Sequence, residues 1–157
     1  LVGVNTLVPN RLVFESIKNG QIPELTGYDT VDTEVGIGNH SRIDLMLSGS
    51  SKGQCYIEIK NCTLVADGVA CFPDAITARG LKHIRELLKL KAAGHRIVMF
   101  YFIQRMDAVV FKPADHIDAA YGRELRRAVK KGLEILAYDV LIDLKHIRLH
   151  HNIPCEL

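Results

Sequence analysis

The stretch RIDLMLSGSSKGQCYIEIK (residues 42–60) reads as two strands joined by a polar turn, and how they pair decides the fold. In RIDLML (42–47) the residues alternate, so Ile43, Leu45 and Leu47 are expected to face inward together. SGSSKGQ (48–54) has turn composition. In CYIEIK (55–60), Tyr56, Glu58 and Lys60 share one strand face while Ile57 and Ile59 share the other. Antiparallel pairing centred on Ser51 opposes residues whose numbers sum to 102, which sets Asp44 across from Glu58. Directly opposed residues have Cβ atoms roughly 4.5–5.5 Å apart. Two carboxylates that close repel unless a proton or a cation sits between them. A hard divalent cation takes oxygen ligands and keeps positions for water and substrate phosphate. It polarises a phosphoryl oxygen and activates water, and a lysine alongside steadies the developing charge. Asp44, Glu58 and Lys60 therefore fit a metal-assisted phosphoryl site. The same spacing also describes an ordinary solvated strand face.

Outward from this hairpin, PNRLVFESIKNG (9–20) reads as a short helix with Val13 and Ile17 on one face and a stop at Asn19–Gly20. YDTVDTEVGI (28–37) alternates, with Val31, Thr33, Val35 and Ile37 expected on one face and Asp32 and Glu34 on the other. FPDAITARGLKHIRELLKLKAAG (72–94) is the longest helical pattern, capped at Asp74, striped by Leu81, Ile84 and Leu88, and closed at Gly94. Gly80 is expected to leave its first turns irregular. RIVMFYFI (96–103) is apolar on both faces, as a central strand is. A strand at AVVFK (108–112), a helix over 115–132, and strands at LEILAYDVLI (133–142) and KHIRLHH (145–151) complete the chain. The order α-β-β-β-α-β-β-α-β-β predicts an α/β fold with one mixed central sheet flanked by helices.

A chain of 157 residues suits one domain, and 48% apolar against 24% charged residues excludes a disordered polyelectrolyte. The longest apolar run, IVMFYFI (97–103), is far short of the ~20 residues of a membrane span, and no basic-plus-apolar leader is present. Association with a membrane is not expected, and a cytoplasmic location is. The chain opens LVGVNTL without methionine and is read as a piece of a longer protein. Cys55, Cys62, Cys71 and Cys155 form no C-x-x-C pair, so free thiols are expected and no cysteine zinc site. His146 with His150, or the adjacent His150 and His151, have metal-ligating chemistry but are read as exposed groups near the chain end.

Charge is uneven. Residues 1–47 carry three basic against six acidic groups, a net −3, while residues 75–96 carry six basic against one acidic group, a net +5. An acidic cluster followed by a basic segment suits a metal beside a polyanion. Arg79, Lys82, His83 and Glu86 share one helix face. Arg123, Arg126, Arg127, Lys130 and Lys131 crowd the later helix, where cations suit the C-terminal end.

Five blocks in order, VNTLVPNRL (4–12), SRIDLML (41–47), YIEIKNCTL (56–64), FPDAITARGLKHIREL (72–87) and GLEILAY (132–138), make the chain resemble the sugar fermentation stimulation protein A family. That family is similar in its second half to restriction-endonuclease-like PD-(D/E)xK nucleases. The resemblance implies a single nuclease-like domain over 1–157, without the small OB-like N-terminal segment its members usually carry. It maps Asp44 onto the family's strand aspartate and Glu58 and Lys60 onto E-x-K, with Glu15 as the helix acid; Glu34, on the polar face of its strand with Asp32, is a weaker substitute acid and reads first as a solvated strand face. Asp44 and Glu58 would then hold Mg²⁺ or Mn²⁺, and Arg79, Lys82 and His83 would serve nucleic acid. It implies DNA as partner, and either phosphodiester hydrolysis or a non-catalytic role in regulating sugar utilisation. Self-association is left open.

Overall fold

The computed structural model describes residues 7–157; the start of the first block, Asn5 included, lies outside them. Helix α1 (Val8–Lys18) carries Pro9 in its first turn, where a missing N–H costs nothing. A 3-10 turn (Pro23–Leu25) leads into β1 (Thr30–Ile37), β2 (Ser41–Gly49) and β3 (Gly53–Cys62). A small hairpin, β4 (Leu64–Ala66) and β5 (Val69–Phe72), precedes α2 (Ala78–Ala92). Then follow β6 (Arg96–Ile103), β7 (Val110–Pro113), α3 (Ala119–Lys130), β8 (Glu134–Ile142) and β9 (Ile147–Asn152).

The central sheet runs β1-β2-β3-β6-β8-β9, with parallel β3-β6-β8 flanked on each side by antiparallel partners. It is the mixed sheet the sequence predicts. The β4-β5 hairpin and the separate three-stranded sheet it forms with β7 are additions the sequence reading lacked. β6 is buried along both faces, as its composition implies. Ile97, Met99, Tyr101 and Ile103 join the core beneath α2 and α3, while Val98, Phe100 and Phe102 join the core beneath α1.

The expected hairpin register holds, because Leu45 pairs with Ile57 and Leu47 with Cys55. The expected single inward face does not. Leu45 and Leu47 pack in the α1-side core, but Ile43 packs in the α2-side core, and on β1 Val31 and Val35 divide the same way. The cause sits on β1, where Glu34 has φ +52°, a left-handed conformation in mid-strand. Thr33 pairs with Leu45 and Val35 with Ile43, so Glu34 and Asp44 occupy the position where the hairpin rolls over and alternation inverts.

Asp74 does not cap α2; Thr77 does, its Oγ1 accepting from the Gly80 N–H at 2.9 Å. The start of the expected 72–94 helix is irregular, since residues 73–77 are not helical and α2 begins at Ala78, with Gly80 in its capped first turn. A Cβ at residue 80 would stand 2.7 Å from Thr77 Cγ2 and 2.9 Å from Tyr121 Cε2. Gly80→Ala is therefore expected to destabilise by about 1–3 kcal/mol, overriding the ~1 kcal/mol that alanine gains in a helix. Denaturant unfolding measures it, and a stabilised variant would show that α2 and α3 can separate at little cost.

Candidate metal and phosphodiester site

Beyond Leu45 and Ile57, β2 and β3 part: β2 continues against β1 while β3 continues against β6. The ladder between them is replaced by a side chain. Asp44 Oδ2 accepts from the Ile59 N–H at 2.7 Å, and Asp44 Oδ1 accepts from Asn10 Nδ2 of α1 at 3.0 Å. The aspartate thus plugs the fork and satisfies an amide that strand separation would orphan.

Glu58 and Lys60 point to the α2 side, and α2 supplies His83 between them. Lys60 Nζ lies 2.8 Å from Glu58 Oε1 and 2.7 Å from His83 Nδ1, and His83 Nδ1 also meets Glu58 Oε1 at very short range. Arg79 Nε donates to His83 Nε2 at 3.5 Å. With the His83 hydrogen on Nδ1, the ring donates to Glu58 and its Nε2 accepts from Arg79, while Lys60 donates to Glu58 and only packs against the ring. Glu58 is 3% exposed, and its second oxygen, Oε2, is buried with no hydrogen-bond partner among the described residues.

The two acids are pushed apart in proton affinity. Burial, then the neighbouring Glu58 charge, raises the Asp44 carboxyl above its usual range. Burial alone would raise Glu58 as well, but the His83 hydrogen bond and the Lys60 charge hold it below. An ionised Glu58 beside a reluctant Asp44, with one buried oxygen unpaired, is the donor set a hard divalent cation would satisfy.

Asp44 and Glu58 open into a cavity of about 510 Å³ that Asn10, Glu34, His40, Arg79, Lys82 and His83 also line. A larger hollow of about 610 Å³ beside Leu25 and Asp29 has no buried acid, so chemistry rather than size picks out the smaller one. Asp44, Glu58, Arg79, Lys82 and His83 thus share this cavity, and Lys60, which is not in its lining, joins them through Glu58. His83 sits inward against Glu58 and is 8% exposed, rather than at the open rim. Glu15 is not brought to the cavity. It stands on the outer side of α1, paired with Arg11 at 4.0 Å, and borders a separate hollow with Leu12 and Arg148. Helix α1 reaches the site through Asn10 instead, five positions earlier. Sequence reasoning missed Asn10 because it sought a charged residue there. Of the crowded cations at α3, Arg126 pairs with Asp115 and Arg127 with Glu124, and none of the five lines this cavity.

A mixed sheet whose diverging strands carry an aspartate and an E-x-K defines a restriction-endonuclease-like domain. The profile of the sugar fermentation stimulation protein RE domain matches residues 7–146, and the chain belongs to that family. It is 52% identical over 156 residues to a sugar fermentation stimulation protein homolog of Geobacter sp. (strain M21), covering 99% of this chain and 67% of the relative. It is 44% identical over 158 residues to a homolog of Shewanella sp. (strain ANA-3), covering 100% of this chain and 68% of that protein. The solved structure of Pyrococcus furiosus SfsA in complex with Ca²⁺ is similar to it, at TM-score 0.86 and 29% identity over 94% of this chain and 64% of that one. The chain therefore spans about two thirds of the length of its relatives. No helix among the described residues is long and apolar enough to cross a membrane.

Proposed function

We propose that this domain binds DNA and hydrolyses its phosphodiesters with Mg²⁺ or Mn²⁺ held by Asp44 and Glu58. The observation that carries the reading is the buried Glu58 Oε2, without a hydrogen-bond partner among the described residues, in a cavity shared with Asp44, while Lys60 holds Oε1. The Ca²⁺ in the Pyrococcus furiosus relative supports it, because calcium is also a hard, oxygen-ligated cation. When bound, the ion polarises the phosphoryl group and lowers the pKa of its water. This chain's residues do the rest. Asn10 and the Ile59 amide fix Asp44, while His83 fixes Glu58. Lys60 brings its ammonium to the reacting face, where it holds water or balances phosphate charge. Arg79 and Lys82, on the cavity rim, grip flanking phosphates.

Incubating the full-length protein with linear, supercoiled and single-stranded DNA, in Mg²⁺, Mn²⁺ or EDTA, tests this directly. Cleavage in metal but not in EDTA supports hydrolysis. Duplex affinity is expected to fall with salt at a log–log slope of about −0.9 per phosphate contact, and Lys82→Ala to flatten the slope by about one contact. Salt-indifferent binding would rule out the DNA reading. The second reading, a non-catalytic DNA-binding regulator, is favoured by one observation: the Lys60 side chain is 11% exposed and already held by Glu58. DNA binding without cleavage in any metal would select it.

A further inference from the structure

The far end of β8 carries a second group of ligating side chains. Tyr138 pairs with Asn152 but Val140 pairs with Leu149, so two residues of β9, His150 and His151, stand against the single residue Asp139. Such a bulge re-aims side chains that strict alternation would send to opposite faces. The two imidazoles meet at 3.3 Å between ring centroids. His150 Nδ1 lies 3.4 Å from Asp139 Oδ1, and the Asp139, His150 and His151 donor atoms all lie within 4.8 Å of one another. Asp139 is 7% exposed and is aimed by the His151 N–H, which donates to its Oδ1 at 2.6 Å. Two ligands around a tetrahedral zinc at about 2.0–2.1 Å are separated by roughly 3.3 Å, which the His150–Asp139 spacing matches.

We infer that Asp139, His150 and His151 form a binding site for a borderline divalent transition metal such as Zn²⁺. Two imidazoles and one carboxylate suit Zn²⁺, Co²⁺ or Ni²⁺, whereas the all-oxygen pair Asp44 and Glu58 suits Mg²⁺ or Mn²⁺. The sites are separate. Extending the strand register puts Asp139 level with Ile103 and, beyond it, Cys62, two strands and four residues away from Glu58. An ion here would clamp edge strand β9 onto β8 at the point where the bulge interrupts their ladder. It would also leave a ligand position open on the exposed side, where both imidazoles lie.

Competitive titration of the full-length protein with Zn²⁺ tests the inference, with Co²⁺ as a spectroscopic substitute. Wild type is expected to bind one Zn²⁺ at least tenfold more tightly than His150→Ala, His151→Ala or Asp139→Asn. Asp44→Asn should bind it as wild type does. The Co²⁺ complex should show ligand-field bands without thiolate charge transfer, which separates this site from the four cysteines. Zn²⁺ affinity unchanged in both histidine variants, or a thiolate band in the Co²⁺ complex, would overturn the assignment. The histidine variants keep the Asp139 bond to the His151 amide, and circular dichroism confirms that they fold.

Discussion

In millimolar Mn²⁺ or Mg²⁺ the protein is expected to melt about 5–10 °C higher than in EDTA. Ligand linkage contributes about 2.7 kcal/mol at a hundredfold excess over Kd, and a domain of this size gains about 2–4 °C per kcal/mol. Asp44→Asn should lose most of that rise. Its metal-free stability balances two opposed effects. The substitution relieves the repulsion with Glu58 that raises the Asp44 carboxyl, but an amide cannot accept from both Ile59 and Asn10, and one lost hydrogen bond costs about 1 kcal/mol. The pH dependence separates these terms. A carboxyl raised in the folded state binds its proton more tightly there, so metal-free wild type loses stability as pH climbs through the Asp44 range above 3.8. Glu58 acts in the opposite direction: its stabilisation is present above 4.5 and is lost as pH falls through its lowered value. Relative to wild type, metal-free Asp44→Asn should therefore gain ground as pH climbs above 3.8 through the raised Asp44 range. No metal-dependent melting shift, together with a pH-independent difference, would reduce Asp44 to a strut in the fork.

Lys60→Ala carries the other large effect. Removing one preorganised charge from a reacting centre typically costs about 10²–10³ in rate, so DNA cleavage should fall at least a hundredfold. Metal binding should hold or strengthen, because the competing cation beside Glu58 is gone. Without metal the variant should be about 1–3 kcal/mol less stable, since Glu58 stays buried and loses a charged donor. Lys60→Met, which restores the packing of the stem, separates that loss from cavity formation. Undiminished cleavage in either variant would remove Lys60 from the chemistry. Loss of the melting shift along with cleavage would make it a support for the ion's site.

Much of this was legible before any coordinates. Turn composition and period-two patterning set the 42–60 register, and the apolar run of β6 marked the sheet centre. What escaped has physical reasons. A positive φ at a glutamate leaves no mark in a hydrophobic pattern, so the roll at Glu34, and with it the changed face of Ile43, could not be read. Glu15 was the nearest acid on α1, but helical spacing turns it away from the position where Asn10 meets Asp44. Thr77 and Asp74 are equally good caps by type, and the choice between them was made by where the chain enters the helix. The two histidines looked like end-of-chain decoration because alternation separates neighbours, and only the bulge brings them together.

The fork at Asp44 ties the state of the site to one backbone group. Ile59 sits between Glu58 and Lys60, and its N–H ends on the aspartate rather than on a neighbouring strand. Any proton or cation that draws charge from the Asp44 carboxylate weakens its hold on that amide. The nitrogen resonance of Ile59 is therefore a built-in gauge of the site, moving as Asp44 titrates and again as an ion arrives. Its solvent-exchange rate reports how firmly the wedge keeps the two strands apart.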